Sequence, residues 1–307
     1  MTCLRPPVPP EYALAVASEV AVAVCTNRPP DAVAESLDAL RAQVGRDHLA
    51  LVTSGMGAAE VDAHRAAFDG PLLAEPRPGL SHARNRALAW RPEGIVAFVD
   101  DDAVVCEGWY PAMRSAWEEA GDDVACIGGP IRPRYAVPPP AWLSDPILPA
   151  LTLLDLGPEP RYLDPSVTTV YGANVSFRSA ALRAAGGFDP AFGHSGGRVF
   201  FSEEDEAQRA LARLGHRVRY VPDAAVLHVI PAERLTRGSF LRRRFAYGAT
   251  LGRRGARSRA VAARQAASSG AGALVAGARG RDALAMERAV RAAENAGVLL
   301  APLAARR

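Results

Sequence analysis

Short apolar runs and amphipathic stretches alternate along the first three quarters of the chain at the spacing of a parallel α/β sheet. Residues 20–25 (VAVAVC) form a β-branched run that stops at Thr26-Asn27-Arg28-Pro29-Pro30, the pattern of a buried strand entering a turn. Beyond Asp31, the residues Val33, Leu37, Leu40 and Val44 recur at helical spacing, which predicts a helix laid back on the sheet. A second strand is predicted from His48 to Thr53. Ser81 is read as the cap of a short helix, SHARNRALAW, with Ala83, Ala87 and Trp90 on one face. Residues 95–99 (IVAFV) make a third buried strand that runs straight into Asp100-Asp101-Asp102. In such a sheet, ligands are expected at the carboxyl ends of the strands.

The middle of the chain is less regular. Residues 128–165 are Pro-rich and predict a structured surface loop, and residues 170–178 (VYGANVSFR) a strand. Ser179 opens a short helix closed by Gly186-Gly187, and the glycine-rich GHSGGRVFF that follows is read as able to move. A helix is expected over Glu203 to Leu214, with Ala207, Leu211 and Leu214 inward and Gly215 at its end. Short strands follow at 217–221 and 225–229. From about residue 236 the pattern turns Arg- and Ala-rich and helical, with Met286, Val290 and Ala293 on one face. These shifts predict an N-terminal extension over 1–19, an α/β domain over 20–235 and a helical extension over 236–307.

Composition narrows the class. Of 307 residues, 49% are hydrophobic and 22% charged, which is globular usage. No run approaches the ~18 apolar residues of a spanning helix, and the N-terminus lacks the features of a secretory signal. Four cysteines without a CxxC pair predict a reduced, cytoplasmic protein, with the inner membrane face as a peripheral location. The net charge of +3 conceals a split: 21 arginines against 30 acids up to residue 235, then 15 against 3. Lysine is absent, so any mechanism that needs one is excluded.

Three acids at the end of a buried strand are the strongest chemical signal. Alternate side chains of an extended segment point the same way, so Asp100 and Asp102 would converge. Paired carboxylates repel unless a cation lies between them, and an all-oxygen site suits Mg²⁺ or Mn²⁺. Ser202 to Glu206 (SEEDE) opens a helix, where acids are favoured by the macrodipole. Four together exceed that need, and one is expected to carry a raised pKa fit for general-base work. His228, in the run AAVLHV, is by itself a core histidine. The other histidines (His48, His64, His82, His194, His216) are read as ordinary structural residues. Arg84 and Asn85 at a helix start suit a phosphate or a surface salt bridge.

The order of these pieces carries more than any one of them. VAVAVCTNRP, GLSHARNRAL, IVAFVDDD, GANVSFRSAALRAAGGFD and EEDEAQRALARLGHRVRYVPDAAVLH, in that order, resemble a family-2 glycosyltransferase of the GT-A fold. The resemblance spans roughly residues 20 to 230. It implies a Rossmann-like nucleotide-binding mixed sheet flanked by helices, and inverting transfer of a sugar from a nucleotide-diphosphate donor to a hydroxyl. Asp100 and Asp102 match the DxD positions that bind a divalent metal (Mn²⁺ or Mg²⁺), with His228 as a third ligand. Thr26, Asn27, Arg28, Ser54, Arg84, Asn85, Asp100 and Asp101 match the donor pocket, and Gly172, Ala173 and Asn174 the loop against the donor sugar. Asp205 matches the catalytic base, with Glu204 beside it as the fallback.

The resemblance departs at LVTSGMG, where relatives place an acid for the nucleobase and this chain has Thr53 and Ser54. The acceptor would be a small molecule, a natural product or a glycan. Trp142 is read as a buried anchor. The basic extension is expected to pack on the acidic domain. The other reading puts Arg242, Arg243 and Arg244, with Phe240, Phe245 and Tyr247, against a membrane. No nucleic-acid module is present. A nucleotidyltransferase is disfavoured by the missing lysine. A non-catalytic sugar-nucleotide-binding protein is the alternative from another class.

Overall fold

A computed structural model describes residues 19–191, 194–195, 198–199, 203–255 and 257–301. Residues 1–18 of the expected N-terminal extension, Ser202 and most of the glycine-rich segment lie outside the described residues.

The strands are β1 (Val20–Thr26), β2 (Leu49–Ser54), β3 (Leu72–Glu75), β4 (Ile95–Asp100), β5 (Ala103–Val105), β6 (Val124–Gly128), β7 (Ile131–Tyr135), β8 (Arg161–Leu163), β9 (Asn174–Arg178), β10 (His194–Ser195), β11 (Arg198–Val199), β12 (Arg217–Tyr220) and β13 (Val226–Ile230). The helices are α1 (Pro30–Arg41), α2 (Ala58–Ala67), α3 (Leu80–Trp90), α4 (Trp109–Glu118), α5 (Ser179–Ala184), α6 (Glu203–Arg213), α7 (Arg237–Arg253), α8 (Arg259–Ala278) and α9 (Asp282–Leu300). Eight strands form one mixed sheet in the order β3-β2-β1-β4-β9-β6-β12-β8, with β9 antiparallel to both neighbours. A second sheet, β5-β13-β7, stands beside it. Among the described residues, β10 and β11 pair with each other.

The period of two decides which core each side chain joins. Val20, Val22 and Val24 of β1 enter the cluster that holds Trp109, Met113 and Trp117, whereas Ala23 enters the opposite one, with Phe98, Phe177 and Phe188. Because β1 and β4 are covered on both faces, they read as unbroken apolar runs.

Several expectations change. The N-cap of α3 is Gly79, and Ser81 lies inside the first turn. Ser54 of β2 holds the backbone of that N-cap residue, accepting from Gly79 N (3.1 Å) and donating to Gly79 O (3.2 Å). Leu88 is buried on α3, while Trp90 is half-buried under the Arg91 guanidinium. Leu214 points outward, 56% exposed, because α6 stops at Arg213 and the chain reverses at Gly215. The Pro-rich stretch is more than a loop: it supplies β7, β8 and a 3-10 turn over Asp145–Leu151. The sequence reading passes over α2, β3, β5, α4 and β6; of these, α2 and β3 complete the first sheet edge.

The basic extension packs on the α/β layer. Phe240 of α7 meets Trp142 edge-on at 5.1 Å, Ser144 Oγ donates to Glu287 (2.7 Å), and Arg254 pairs with Glu206. Helices α7 and α9 lie backbone to backbone. A Cβ on Gly248 would stand 2.7 Å from the Glu294 carbonyl carbon, and Gly297 faces the Phe245 carbonyl just as closely. The glycines are required there by that close approach.

Candidate active site

The carboxyl ends of β1, β2 and β4 open into a cleft of about 600 Å³, lined by Thr26, Asn27, Arg28, Ser54, Asp100, Asp101, Asp102 and Arg234 among others. This is where a parallel sheet presents its ligand site. The three aspartates do not continue the strand. β4 ends at Asp100, residues 101 and 102 turn, and β5 starts at Ala103. Each carboxylate therefore finds its own partners. Asp101 accepts from the Thr26 hydroxyl (2.5 Å) and faces Arg28 (3.5 Å). Burial and the other two aspartates push it up to about 6, against the pull of Thr26 and Arg28. Asp100 faces Arg84 at 3.3 Å, and burial together with Asp102 raises its pKa.

Asp102 meets the second sheet. Its Oδ1 lies 3.3 Å from His228 Nε2, and its Oδ2 accepts from Arg234 Nη2 at 3.1 Å. Burial opposes ionisation there, but the charges of Arg234 and Arg28 outweigh it and hold the carboxyl below the usual carboxylate range. His228 Nδ1 lies 2.9 Å from the Leu151 carbonyl, so it carries the proton and Nε2 points at Asp102.

Behind the cleft, a smaller pocket of about 120 Å³ brings together Arg84, Asp100, Asp102, Gly172, Glu203, Glu204, His228 and Arg243. Arg84 is not on a surface, as its place near a helix start suggested. It is 2% exposed, bonds Glu203 (2.8 Å) and Asp100, and lies against the rings of Phe98 and Phe188. It is the internal counter-ion that joins the end of β4 to the start of α6. Gly172 is the one residue of the 172–174 loop that lines this pocket. Asn174 is turned away: its amide accepts from Trp109 Nε1 and donates to the carbonyls of Pro130 and Ala224, stitching the two sheets. Ala173 is core. Asn85 likewise spends its amide on the backbone of Phe188, 2.7 and 2.9 Å away, and lines neither cavity.

A third cavity, about 220 Å³, is lined by Thr152, Tyr171, Glu204, Asp205, Arg243, Arg244 and Tyr247 among others. Glu204 belongs to its wall and to that of the 120 Å³ pocket. Burial first, then Glu203 and Asp205, push Glu204 up to about 8. Asp205 accepts a hydrogen bond from the Thr169 hydroxyl. The patch read as interfacial thus splits by helical phase. Arg243, Arg244 and Tyr247 face this cavity, Phe240 is core, and Arg242 and Phe245 stay outside.

Glu203, Thr169, Tyr171, Arg234 and Arg243 were missed by sequence reasoning. Glu203 had a signal, since it is one of the four acids at the start of α6. Arg243 was marked only as part of the Arg242–Arg244 patch; the other three carry no local pattern and are recruited by topology.

Among the described residues, no three His, Cys, Asp or Glu side chains converge as a group that could hold an ion. The expected set of Asp100, Asp102 and His228 is divided, because Arg84 draws Asp100 aside.

The sequence profile described as "Glycosyl transferase family 2" matches residues 21–184, just over half the chain. The chain is 28% identical over 241 residues to the succinoglycan biosynthesis protein ExoM of Rhizobium meliloti (strain 1021), covering 75% of this chain and 73% of that protein. It is 27% identical over 151 residues to a glucosyl-dolichyl phosphate glucuronosyltransferase of Haloferax volcanii, covering 49% and 47%. Among solved structures, it is similar to the mannosyltransferase PcManGT from Pyrobaculum calidifontis in complex with GDP-Man and Mn²⁺. There the TM-score is 0.55 at 19% identity, over 89% of this chain and 86% of that one. It is also similar to S. aureus TarS 1–349 in complex with UDP (TM-score 0.50, 16% identity, 91% and 89% covered). These likenesses show the GT-A fold.

Proposed function

Because the chain belongs to glycosyl transferase family 2, we propose that it moves a glycosyl group, with inversion, from a nucleotide-diphosphate sugar in the large cleft to a hydroxyl in the Tyr171–Tyr247 cavity. The observation that carries this reading is the position of Glu204 in the wall of both inner cavities. A sugar reaching in from the cleft and a hydroxyl entering from the other side meet at the Glu204–Asp205 pair.

Asp205 is the base. At neutral pH Glu204, raised to about 8, already holds its proton, and a neutral carboxyl is too weak a base to take another. Asp205 takes the acceptor's proton while Thr169 steadies its carboxylate. The acceptor oxygen bonds to the anomeric carbon as the bond to the diphosphate breaks on the opposite face, and the diphosphate leaves with the electron pair. Arg84 keeps Glu203 and Asp100 in place, and Arg234 and Arg243 bring positive charge to the diphosphate.

A divalent cation fits Asp102 and His228. Hard cations of this kind take few protein ligands and complete their shell with water and substrate phosphate, so two convergent donors suffice. Bound there, the ion would supply Lewis-acid neutralisation of the leaving diphosphate. Ser54 hydrogen-bonds to Arg77 O and Gly79, and Glu75 at the end of β3 is locked by Arg77 (2.7 and 2.9 Å). Neither the β2 nor the β3 end therefore offers a free acid to a nucleobase.

Asp205→Asn tests the assignment. Transfer should fall by about 10²–10⁴-fold, with donor binding, followed by nucleotide-induced thermal shift, unchanged. Wild-type turnover in Asp205→Asn would refute the base. Donor binding without any turnover in the wild type would favour a sugar-nucleotide-binding protein.

A further inference from the structure

Arg234 lines both the large cleft and the 120 Å³ pocket behind it. It sits on the 3-10 turn Ala232–Leu235 that follows β13, with its side chain 29% exposed. Its two terminal nitrogens do different things. Nη2 donates to Asp102 Oδ2 at 3.1 Å, an ordinary ion pair. Nη1 lies 3.0 Å from His228 Nε2. Because the Leu151 carbonyl fixes the proton on Nδ1, Nε2 is the bare nitrogen of the ring, and it has a single lone pair. That lone pair is spent on Arg234. A salt bridge alone would explain the contact with Asp102; it would not explain a guanidinium seated on the imidazole nitrogen as well.

We propose that Arg234 is an internal stand-in for the divalent cation: its guanidinium closes the Asp102–His228 pair until a diphosphate-bound ion displaces it. The inference rests on the reading that a cation binds at Asp102 and His228. One nitrogen lone pair cannot serve two cations, so metal entry at His228 requires Arg234 to leave. A freed guanidinium needs a new anion. Nearby Arg243 is itself depressed to about 10 by burial and by the charge of Arg234, so added positive charge on this side of the pocket is unfavourable without compensation. A diphosphate supplies the missing negative charge to the ion and to the displaced arginine together. Metal alone therefore binds weakly, and metal with diphosphate binds cooperatively, each raising the affinity for the other by the same factor.

The test is direct Mn²⁺ binding, read from the free-ion electron paramagnetic resonance signal and needing no turnover. Wild type, Arg234→Ala and Arg234→Gln are titrated without nucleotide, then with UDP and with GDP. Circular dichroism verifies folding, and the glutamine variant keeps the side-chain volume if the alanine variant is unstable. Without nucleotide, both variants should bind Mn²⁺ about tenfold more tightly than wild type, within the usual range of coupling between sites. The gain should vanish when Asp102→Asn is added. With the nucleoside diphosphate that binds, the advantage should shrink or reverse. Equal or weaker Mn²⁺ binding by the variants, with wild type binding the ion, overturns the stand-in role and leaves the cation site standing. No Mn²⁺ binding by any form, with or without UDP or GDP, or binding that survives Asp102→Asn, overturns the cation site itself.

Discussion

Gly172→Ala is the substitution with the most definite expected cost. A methyl group at 172 would stand 2.9 Å from Arg84 Cζ and 3.0 Å from Nη1, with Nη2 nearer still. Carbon contacts become comfortable only at roughly 3.5 Å, so the guanidinium must retreat by on the order of 1 Å. It has no slack for this. The ring centroids of Phe98 and Phe188 lie 5.8 and 5.6 Å from Cζ, and the nitrogens are committed to Glu203 at 2.8 Å and Asp100 at 3.3 Å. The retreat would weaken the counter-ion of a carboxylate that is 3% exposed. Breaking a buried pair outright costs about 3–5 kcal/mol and overpacking about 1–3 kcal/mol, so partial relaxation leaves an expected loss of about 3 kcal/mol. In a chain of this size, with an unfolding entropy of about 2.1 cal/mol/K per residue, the melting temperature should fall by roughly 5 °C. Urea denaturation gives the free energy, and Arg84→Met supplies the control. If the methyl acts through Arg84, the two substitutions together should cost less than their sum by at least about 1.5 kcal/mol. A Gly172→Ala protein within about 0.5 kcal/mol of wild type, or full additivity with Arg84→Met, would refute the reasoning.

Four further outcomes follow from the structure. Between about pH 5 and 8 the unfolded chain has lost the Glu204 proton that the ligand-free fold retains, because the folded pKa is raised to about 8. Stability should therefore fall as pH rises through this window, and Glu204→Gln should flatten the slope in pH-resolved thermal melts. Asp102, held below the usual carboxylate range, has the opposite sign: its contribution is lost only as pH drops below about 4. Gly248→Ala should cost about 1–3 kcal/mol in urea denaturation, since its Cβ would stand 2.7 Å from the Glu294 carbonyl carbon and the helices must part. Thr169→Val, which removes the hydroxyl bonded to Asp205, should lower kcat about tenfold, roughly 1.4 kcal/mol, with donor binding unchanged in the same thermal-shift assay.

What could be read in advance depended on how local its cause is. β1 and β4 are buried on both faces, so their composition alone marks them; β3 is four residues with only Glu75 buried, and its sequence carries no such mark. The triple aspartate was visible because unusual chemistry sits at a strand end. What each aspartate does was not, because its partners come from afar: Thr26 for Asp101, Arg84 for Asp100, and His228 and Arg234 for Asp102. Arg84 shows the limit best. Its neighbours along the chain resemble a phosphate-binding helix start, yet its main partner, Glu203, is 119 residues away, and that pairing decides its role. Asn85 and Asn174 follow the same rule, since carbonyls brought by other elements claim their amides before any ligand does.

The glycine seam between α7 and α9 has a consequence for anyone wishing to re-engineer this enzyme. The profile match ends at residue 184, whereas five of the nine residues around the Tyr171–Tyr247 cavity lie beyond it, three of them on α7. With the acceptor in this cavity, as proposed, that wall is the part to exchange in a search for new acceptors. Helix α7 is not an interchangeable part by itself, because its bare backbone at Gly248 and Gly252 is cut to fit the carbonyls of Glu294 and Val298, and Gly297 answers it from the other side. A graft must carry the stretch from Arg237 to Leu300 as one cassette, with Arg254 kept to meet Glu206 on the recipient.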